Sequence, residues 1–388
     1  MKRTYEEINQ KIRKGDAVVL TAEEVIGVVE SEGIEKATKE VDVVTTGTFG
    51  AMCSSGAFIN FGHSEPPIKM SKVWLNDVPA YTGIAAVDAY IGATELRDDN
   101  DMSYGGAHVI EDLISRKPVR LRATAYGTDC YPRKEIDTYI SLATVNQAYM
   151  FNPRNSYQNY GVATNSSDRT LFTYMGKLLP KYGNATYSSA GQLSPLLNDP
   201  HLRTIGIGTR IFLGGAQGYV AWEGTQYKTT PPERNGVPTG SARNLAVVGE
   251  LRDMSPDYIK ALVFNKYGTT LAVGIGIPIP ILDEEMMRCV SIRDSDIFAP
   301  VLDYSVQSRN KQPIHEVSYS ELRSGSIEIG SKKVRTSSLS SYHKARQIAE
   351  ALKKSVHEGT FLLTQPVARL PEERSINPLD LHSREEVV

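Results

Sequence analysis

The chain has 388 residues, 40% of them hydrophobic and 23% charged, with a formal net charge of -2 and three cysteines. Such a composition is ordinary for a globular protein with a real core. The near-neutral balance excludes general attraction to nucleic acid or to an anionic membrane.

The charged amino-terminal segment MKRTYEEINQKIRKG has a helical pattern. It lacks an apolar stretch followed by a small-residue cleavage site, which argues against a secretory signal and for a cytoplasmic protein. TAEEVIGVVESEG predicts a helix with Thr21 as its cap and Gly33 as its stop. VDVVTTGTFGAMCSSGAFINFG predicts a β-branched strand, a glycine–serine turn holding Cys53, and an aromatic strand. IAAVDAYIGATEL and GGAHVIEDLISRK both have helical spacing. PVRLRATAYG alternates like a half-buried strand and delivers the chain to Cys130. Residues 146–200 are polar and rich in Asn, Ser, Tyr and Gly, the composition of a long functional loop. SPDYIKALVFNKYG predicts a helix capped by Ser255, with Pro256 at its first position. Residues 269–282 form the longest apolar stretch, broken by prolines and short of the ~20 residues of a spanning helix. They read as a buried strand and a turn. MMRCVSIRDSD puts Cys289 on a helix, and residues 341–359 form the clearest helix, with Ala345, Ile348, Leu352 and Val356 on one stripe. Residues 371–388 are a charged, proline-containing tail, expected to be loose or to lie on a partner. The expected fold class is α+β, a mixed α/β arrangement: one large catalytic domain over residues 1–370, with a mixed sheet and insertions.

The three cysteines are far apart, with no C-x-x-C pair, so neither a zinc ribbon nor a thioredoxin motif is present. Three thiolates also fall short of an iron–sulfur ligand set, and a reducing cytosol disfavours a structural disulfide. Each cysteine is therefore a small core residue or a reactive thiol. In GTDCYPR, Arg133 and Lys134 favour the Cys130 thiolate and Asp129 opposes it. Residue pattern alone leaves both a nucleophile and a buried loop cysteine open there. Cys53 is followed by Ser54, Ser55 and Gly56, whose backbone N–H groups suit an anion or oxyanion. A tight glycine turn packed on the next strand is the structural alternative. Cys289, flanked by apolar residues, reads as inert core. IGIGTRIFLGGAQGYV lacks the G-x-G-x-x-G order, which excludes a dinucleotide site. The histidines, at 63, 108, 201, 315, 343, 357 and 382, have no zinc-ligand spacing, so no metal is expected. His63 is the best acid/base candidate, a surface histidine being the alternative.

TGTFGAMCSSGAFINFGHSEPPIK, YIGATEL, GGAHVIEDLI, TAYGTDCYPRKE and RIFLGGAQGYVAWEGTQ together resemble the homocysteine biosynthesis family, sulfur-incorporating enzymes of methanogens and many anaerobic bacteria. The resemblance implies transfer of sulfur from sulfide to aspartate semialdehyde, feeding homocysteine and methionine. It implies that Cys130 carries the sulfur as a persulfide. Cys53 is then a candidate resolving thiol, with the electrons coming from an external donor. Arg133 or Arg210 would grip the substrate carboxylate, and Ser54, Ser55, Gly56 and His63 are further substrate-binding candidates. The chain is expected to bind no cofactor of its own. Neither a CBS pair nor a ferredoxin-type domain is expected, so clusters would come from a separate iron–sulfur partner. A homo-oligomer also fits. The alternatives are a thiol enzyme acting on another carbonyl acceptor, and a non-catalytic sulfur carrier for a redox partner.

Overall fold

The computed structural model describes residues 3–99, 101–155 and 159–381. The strand Gly268–Gly276 is buried at every position, as its unbroken apolar run demands. It is central to a nine-stranded sheet. On one side it pairs with Ile259–Phe264. On the other the order runs Arg210–Leu213, Ala216–Glu223, Leu245–Glu250, Gln147–Asn155, Gly56–Asn60 and Asp88–Gly92. Thr48–Ala51 also pairs with Gly268–Gly276, off this path. The helix Tyr342–His357 lies on the buried strand, with Ala345, Ile348, Leu352 and Val356 inward as their spacing predicts. Gly276 permits that approach: a β-carbon there would sit 2.8 Å from the Thr46 carbonyl oxygen and 3.0 Å from Ile348.

A second, six-stranded sheet is mixed. Val162–Thr164 runs parallel to Phe298–Asp303, and Ala185–Tyr187 parallel to Lys332–Ser338. A four-stranded antiparallel sheet follows the order Val78–Ala80, Lys72–Leu75, Val119–Thr124, Glu135–Ile140. The expected mixed class is therefore the observed one. The amino-terminal helix Tyr5–Lys14, the helix Gly106–Ile114 and the helix Glu284–Val290 with Cys289 also form where the sequence puts them.

Three segments differ from their sequence reading. Residues 146–200 are not a loop: they hold five strands, from Gln147–Asn155 to Ala185–Tyr187, and the short helix Pro195–Asn198. Their polarity misleads because the asparagines are interior. Asn152, Asn159, Asn165 and Asn198 are at most 1% exposed. Asn159, Asn165 and Asn198 donate to backbone carbonyls such as Pro238, Leu178 and Ser194. Asp88–Gly92 is a strand with Ala89 and Ile91 buried, an alternation that a helical reading overlooks. Ile259–Phe264 is likewise a strand, because the adjacent buried strand offers a ladder from Phe264↔Gly268 to Ile259↔Val273. Ser255 starts only a turn there, its hydroxyl accepting from the Asp257 N–H at 3.2 Å.

The carboxy-terminal segment as far as Arg374 lies on the chain's own body. Ala368 bridges to Ile207, and Arg374 pairs with Glu223 at 3.1 Å. The last part of the predicted tail, residues 382–388 with His382, lies outside the described residues. No described helix is long and apolar enough to cross a membrane.

Candidate active site

The strand Thr48–Ala51 ends in a tight turn that leads into Gly56–Asn60. The Ser55 N–H donates to the Met52 carbonyl at 3.0 Å, which closes the turn. Asn152, on the neighbouring strand, fixes it from outside. Its Oδ1 accepts from the Ser54 hydroxyl at 2.7 Å, and its Nδ2 donates to the Ser55 hydroxyl at 2.9 Å. The Ser54 hydroxyl also reaches the Arg154 carbonyl at 2.8 Å. This holds Cys53 at the wall of a cavity of about 620 Å³ between the nine-stranded and six-stranded sheets. That volume falls within the usual range for small-molecule sites.

Tyr160, Tyr174 and Tyr267 form one side of the cavity, with hydroxyls of Ser188, Ser189 and Ser340 on another. The Tyr160 and Tyr174 rings meet edge-on at 6.2 Å. Burial first, then the Cys53 sulfur and Tyr174, push the Tyr267 hydroxyl above the ordinary tyrosine range. It therefore stays protonated and can donate a hydrogen bond into the cavity. Among the described residues lining the cavity, Arg154 is the one charged side chain.

Cys130 occupies a different place. Thr128 and Tyr131 exchange backbone hydrogen bonds of 2.9 and 3.1 Å, which leaves Asp129 and Cys130 at the tip of a two-residue turn. The sulfur is exposed and lies 3.5 Å from the Thr128 hydroxyl. Thr128, not Asp129, caps this turn, accepting from the Tyr131 N–H at 3.1 Å. His63 stacks on Tyr131 with ring centroids 5.7 Å apart. His63 therefore serves the Cys130 turn, not the Cys53 cavity.

The two sulfurs are not brought together. Cys53 precedes the strand Gly56–Asn60, whereas the Cys130 turn docks beyond its far end, against His63. That five-residue strand alone spans about 13 Å at ~3.3 Å per residue. Cys130 is not among the residues lining the cavity, and all three cysteines are free. Disulfide formation needs Cα atoms about 4.4–6.8 Å apart, so exchange between the two thiols requires the two turns to move together from this arrangement.

Most of the other candidates also fall outside the cavity. Arg133 donates its guanidinium to the carbonyls of Glu65 and Pro66, clamping the Cys130 turn to the loop before Ile68. Arg210 lies over the Phe361 ring at 5.8 Å, against the carboxy-terminal segment. Ser55 is buried, its N–H engaged inside the turn and its hydroxyl taken by Asn152. Gly56 is a ladder residue between Phe151 and Gly92, where a β-carbon would strike the Tyr90 hydroxyl. Only Cys53 and Ser54 of the predicted residues line the cavity.

Cys289 lies in a separate open groove of about 640 Å³, with Arg288, Arg293 and His201. Burial first, then Asp199, pushes its thiol up to about 11, consistent with an inert role. Among the described residues, no group of three or more His, Cys, Asp or Glu could hold a metal ion.

Sequence reasoning missed Arg154. The available signal was weak: an arginine after proline in FNPRN, inside a stretch otherwise read as loop.

Residues 17–363 match the family model described as homocysteine biosynthesis enzyme, sulfur-incorporation. A protein of Methanosarcina acetivorans named L-aspartate semialdehyde sulfurtransferase is 56% identical over 97% of this chain and 73% of its own length. A protein of the same name from Methanocaldococcus jannaschii is 54% identical over 95% of this chain and 73% of its own length. An uncharacterised protein of Methanothermobacter thermautotrophicus is 30% identical over 84% of this chain and 73% of its own length. No solved structure matches. The chain belongs to the homocysteine biosynthesis enzyme family, as an enzyme of sulfur transfer.

Proposed function

We propose that this protein converts L-aspartate semialdehyde and sulfide to L-homocysteine in a reducing cytoplasm, with Cys130 loading the sulfur and the Cys53 cavity holding the aldehyde. The observation that carries the reading is the cavity itself: a thiol, phenol and serine hydroxyls and a single cation surround a space suited to a small aldehyde that bears a carboxylate. The relatives' printed names supply the substrate.

The net reaction replaces the aldehyde oxygen by a thiol group, releases water and takes up a pair of electrons and two protons. Loading sulfide onto Cys130 as a persulfide gives up one electron pair, to an oxidant of the disulfide class. Reducing the carbonyl carbon and freeing the product thiol together take up two pairs. An external donor therefore supplies both pairs, one of them balancing the pair that left with the oxidant, and a separate ferredoxin-type iron–sulfur protein is the proposed source. Exposure of Cys130 suits loading by sulfide and a soluble oxidant. Delivery of the sulfur to the aldehyde requires the Cys130 turn to approach the Cys53 cavity during turnover, and exchange between the two thiols is then ordinary chemistry.

The test loads the purified protein with sulfide in the presence of a disulfide oxidant, removes the excess, and then incubates it anaerobically with aspartate semialdehyde and a low-potential reductant. Homocysteine that depends on the sulfide loading, the aldehyde and the reductant is the expected result. Persulfide on Cys130 without turnover on any aldehyde would make the protein a carrier. Turnover on other aldehydes alone would reassign the substrate.

A further inference from the structure

We propose that Arg154 binds the carboxylate of the acceptor aldehyde, which makes the Cys53 cavity selective for small carboxylate-bearing substrates. The inference rests on the proposed function for the ligand's name, but not for its charge.

The backbone aims this side chain. Along Gln147–Asn155 the pairing runs from Asn152↔Val247 to Asn155↔Leu245, so the strand carries one residue more than its partner. Such a bulge breaks the in–out alternation and re-aims side chains, and bulges recur beside active sites. Pro153 and Arg154 occupy it. The Arg154 N–H donates to Asn152 Oδ1 at 2.9 Å, and its carbonyl accepts from Ser54 at 2.8 Å. The arginine is thus tied to the residue that follows Cys53. Its Nε donates to the Thr225 hydroxyl at 3.0 Å, while the Thr225 N–H donates to the Pro153 carbonyl at 2.8 Å. The planar head is fixed through one nitrogen. Among the described residues, no carboxylate pairs with it.

Charge follows from this geometry. Among the described residues no acid lines the cavity, so none of them competes with an anionic ligand for the guanidinium. A guanidinium fork matches a carboxylate in two parallel hydrogen bonds. The ammonium of an α-amino acid would face the hydroxyls of Ser188, Ser189 and Ser340, and its aldehyde end the thiol. Arg133 and Arg210, the cations favoured by the sequence, lie outside the cavity.

The test compares alkylation of Cys53 by iodoacetate and by uncharged iodoacetamide, resolved by peptide mass, in the full chain. Arg154 should favour the anionic reagent at Cys53. Arg154→Gln should lower the iodoacetate-to-iodoacetamide rate ratio by about tenfold and leave the ratio at Cys130 unchanged. Arg154→Lys should keep much of the preference. In turnover, Arg154→Gln should raise KM for aspartate semialdehyde about 10- to 100-fold. It should hardly alter the use of 3-aminopropanal, which lacks the carboxylate. An unchanged ratio at Cys53, or an equal fall at Cys130, would overturn the proposal. If the wild type shows the preference yet makes no homocysteine, the proposed function fails and the anion site stands.

Discussion

The Cys53 turn and the Cys130 turn are each reached along a short antiparallel strand, yet they end in opposite environments. The Cys53 turn is cross-linked to a neighbouring strand through Asn152 and faces a hydroxyl-lined cavity. The Cys130 turn closes on itself through Thr128 and Tyr131 and presents its sulfur to solvent. The difference teaches how one chain can separate two halves of a sulfur transfer. A sulfur source has to be accessible to a donor, whereas an aldehyde acceptor is better held out of water beside fixed proton donors.

Removing each thiol should break the comparison most sharply. Cys53→Ser and Cys130→Ser should each cut homocysteine formation by about a thousandfold or more, as loss of a nucleophile does. They should fail differently: Cys53→Ser still gains the mass of one sulfur on Cys130, and Cys130→Ser does not. Loading on Cys53 instead, seen by peptide mass, would reverse the two roles.

Asn152→Ala should come next. It strips partners from Ser54, Ser55 and the Arg154 N–H at a fully buried position. The expected cost is about 2–3 kcal/mol in urea unfolding, the scale for stranded buried polar groups. Turnover should fall while persulfide loading at Cys130 persists. Equal loss of both would show that the two turns are coupled.

Tyr131→Ala removes the His63 stack at the exposed turn. A loss of about 0.5–1.5 kcal/mol is expected from such a ring pair. Loading of Cys130 should change, and alkylation of Cys53 should not.

Cys289→Ser should have the smallest effect, with turnover within about twofold, because the side chain lies outside both regions. Its pH behaviour has a definite sign. The folded thiol stays neutral up to about 11, whereas an unfolded cysteine ionises near ~8.5. Between those values the unfolded chain holds fewer protons, so this residue's contribution to stability declines as pH rises. Alkylation followed against pH should label Cys289 last.

Local pattern and tertiary context contributed differently to these regions. The stripe Ala345, Ile348, Leu352, Val356 could only be one helix face, and the apolar run at Gly268–Gly276 could only be buried. The turns at Cys53 and Cys130 were legible because small and polar residues interrupt strand patterns there. Residues 146–200 were not, because a buried asparagine that bonds to distant backbone has the same sequence signature as a solvated one. Ile259–Phe264 shows the same limit, since a short apolar run becomes a strand or a helix according to the ladder beside it.

The sequence by itself determined the class of fold, the three thiols and which two of them stand in turns. It also determined the family, through long motifs that lie around those turns. Only the tertiary structure decided that Cys53 lines a cavity and Cys130 does not, and that Arg154 and not Arg133 or Arg210 shares that cavity. The reason is physical: an arginine's role depends on which groups already occupy its guanidinium. Those groups come from Glu65 and Pro66 for Arg133 and from Thr225 for Arg154, residues far away in the chain that folding alone brings near.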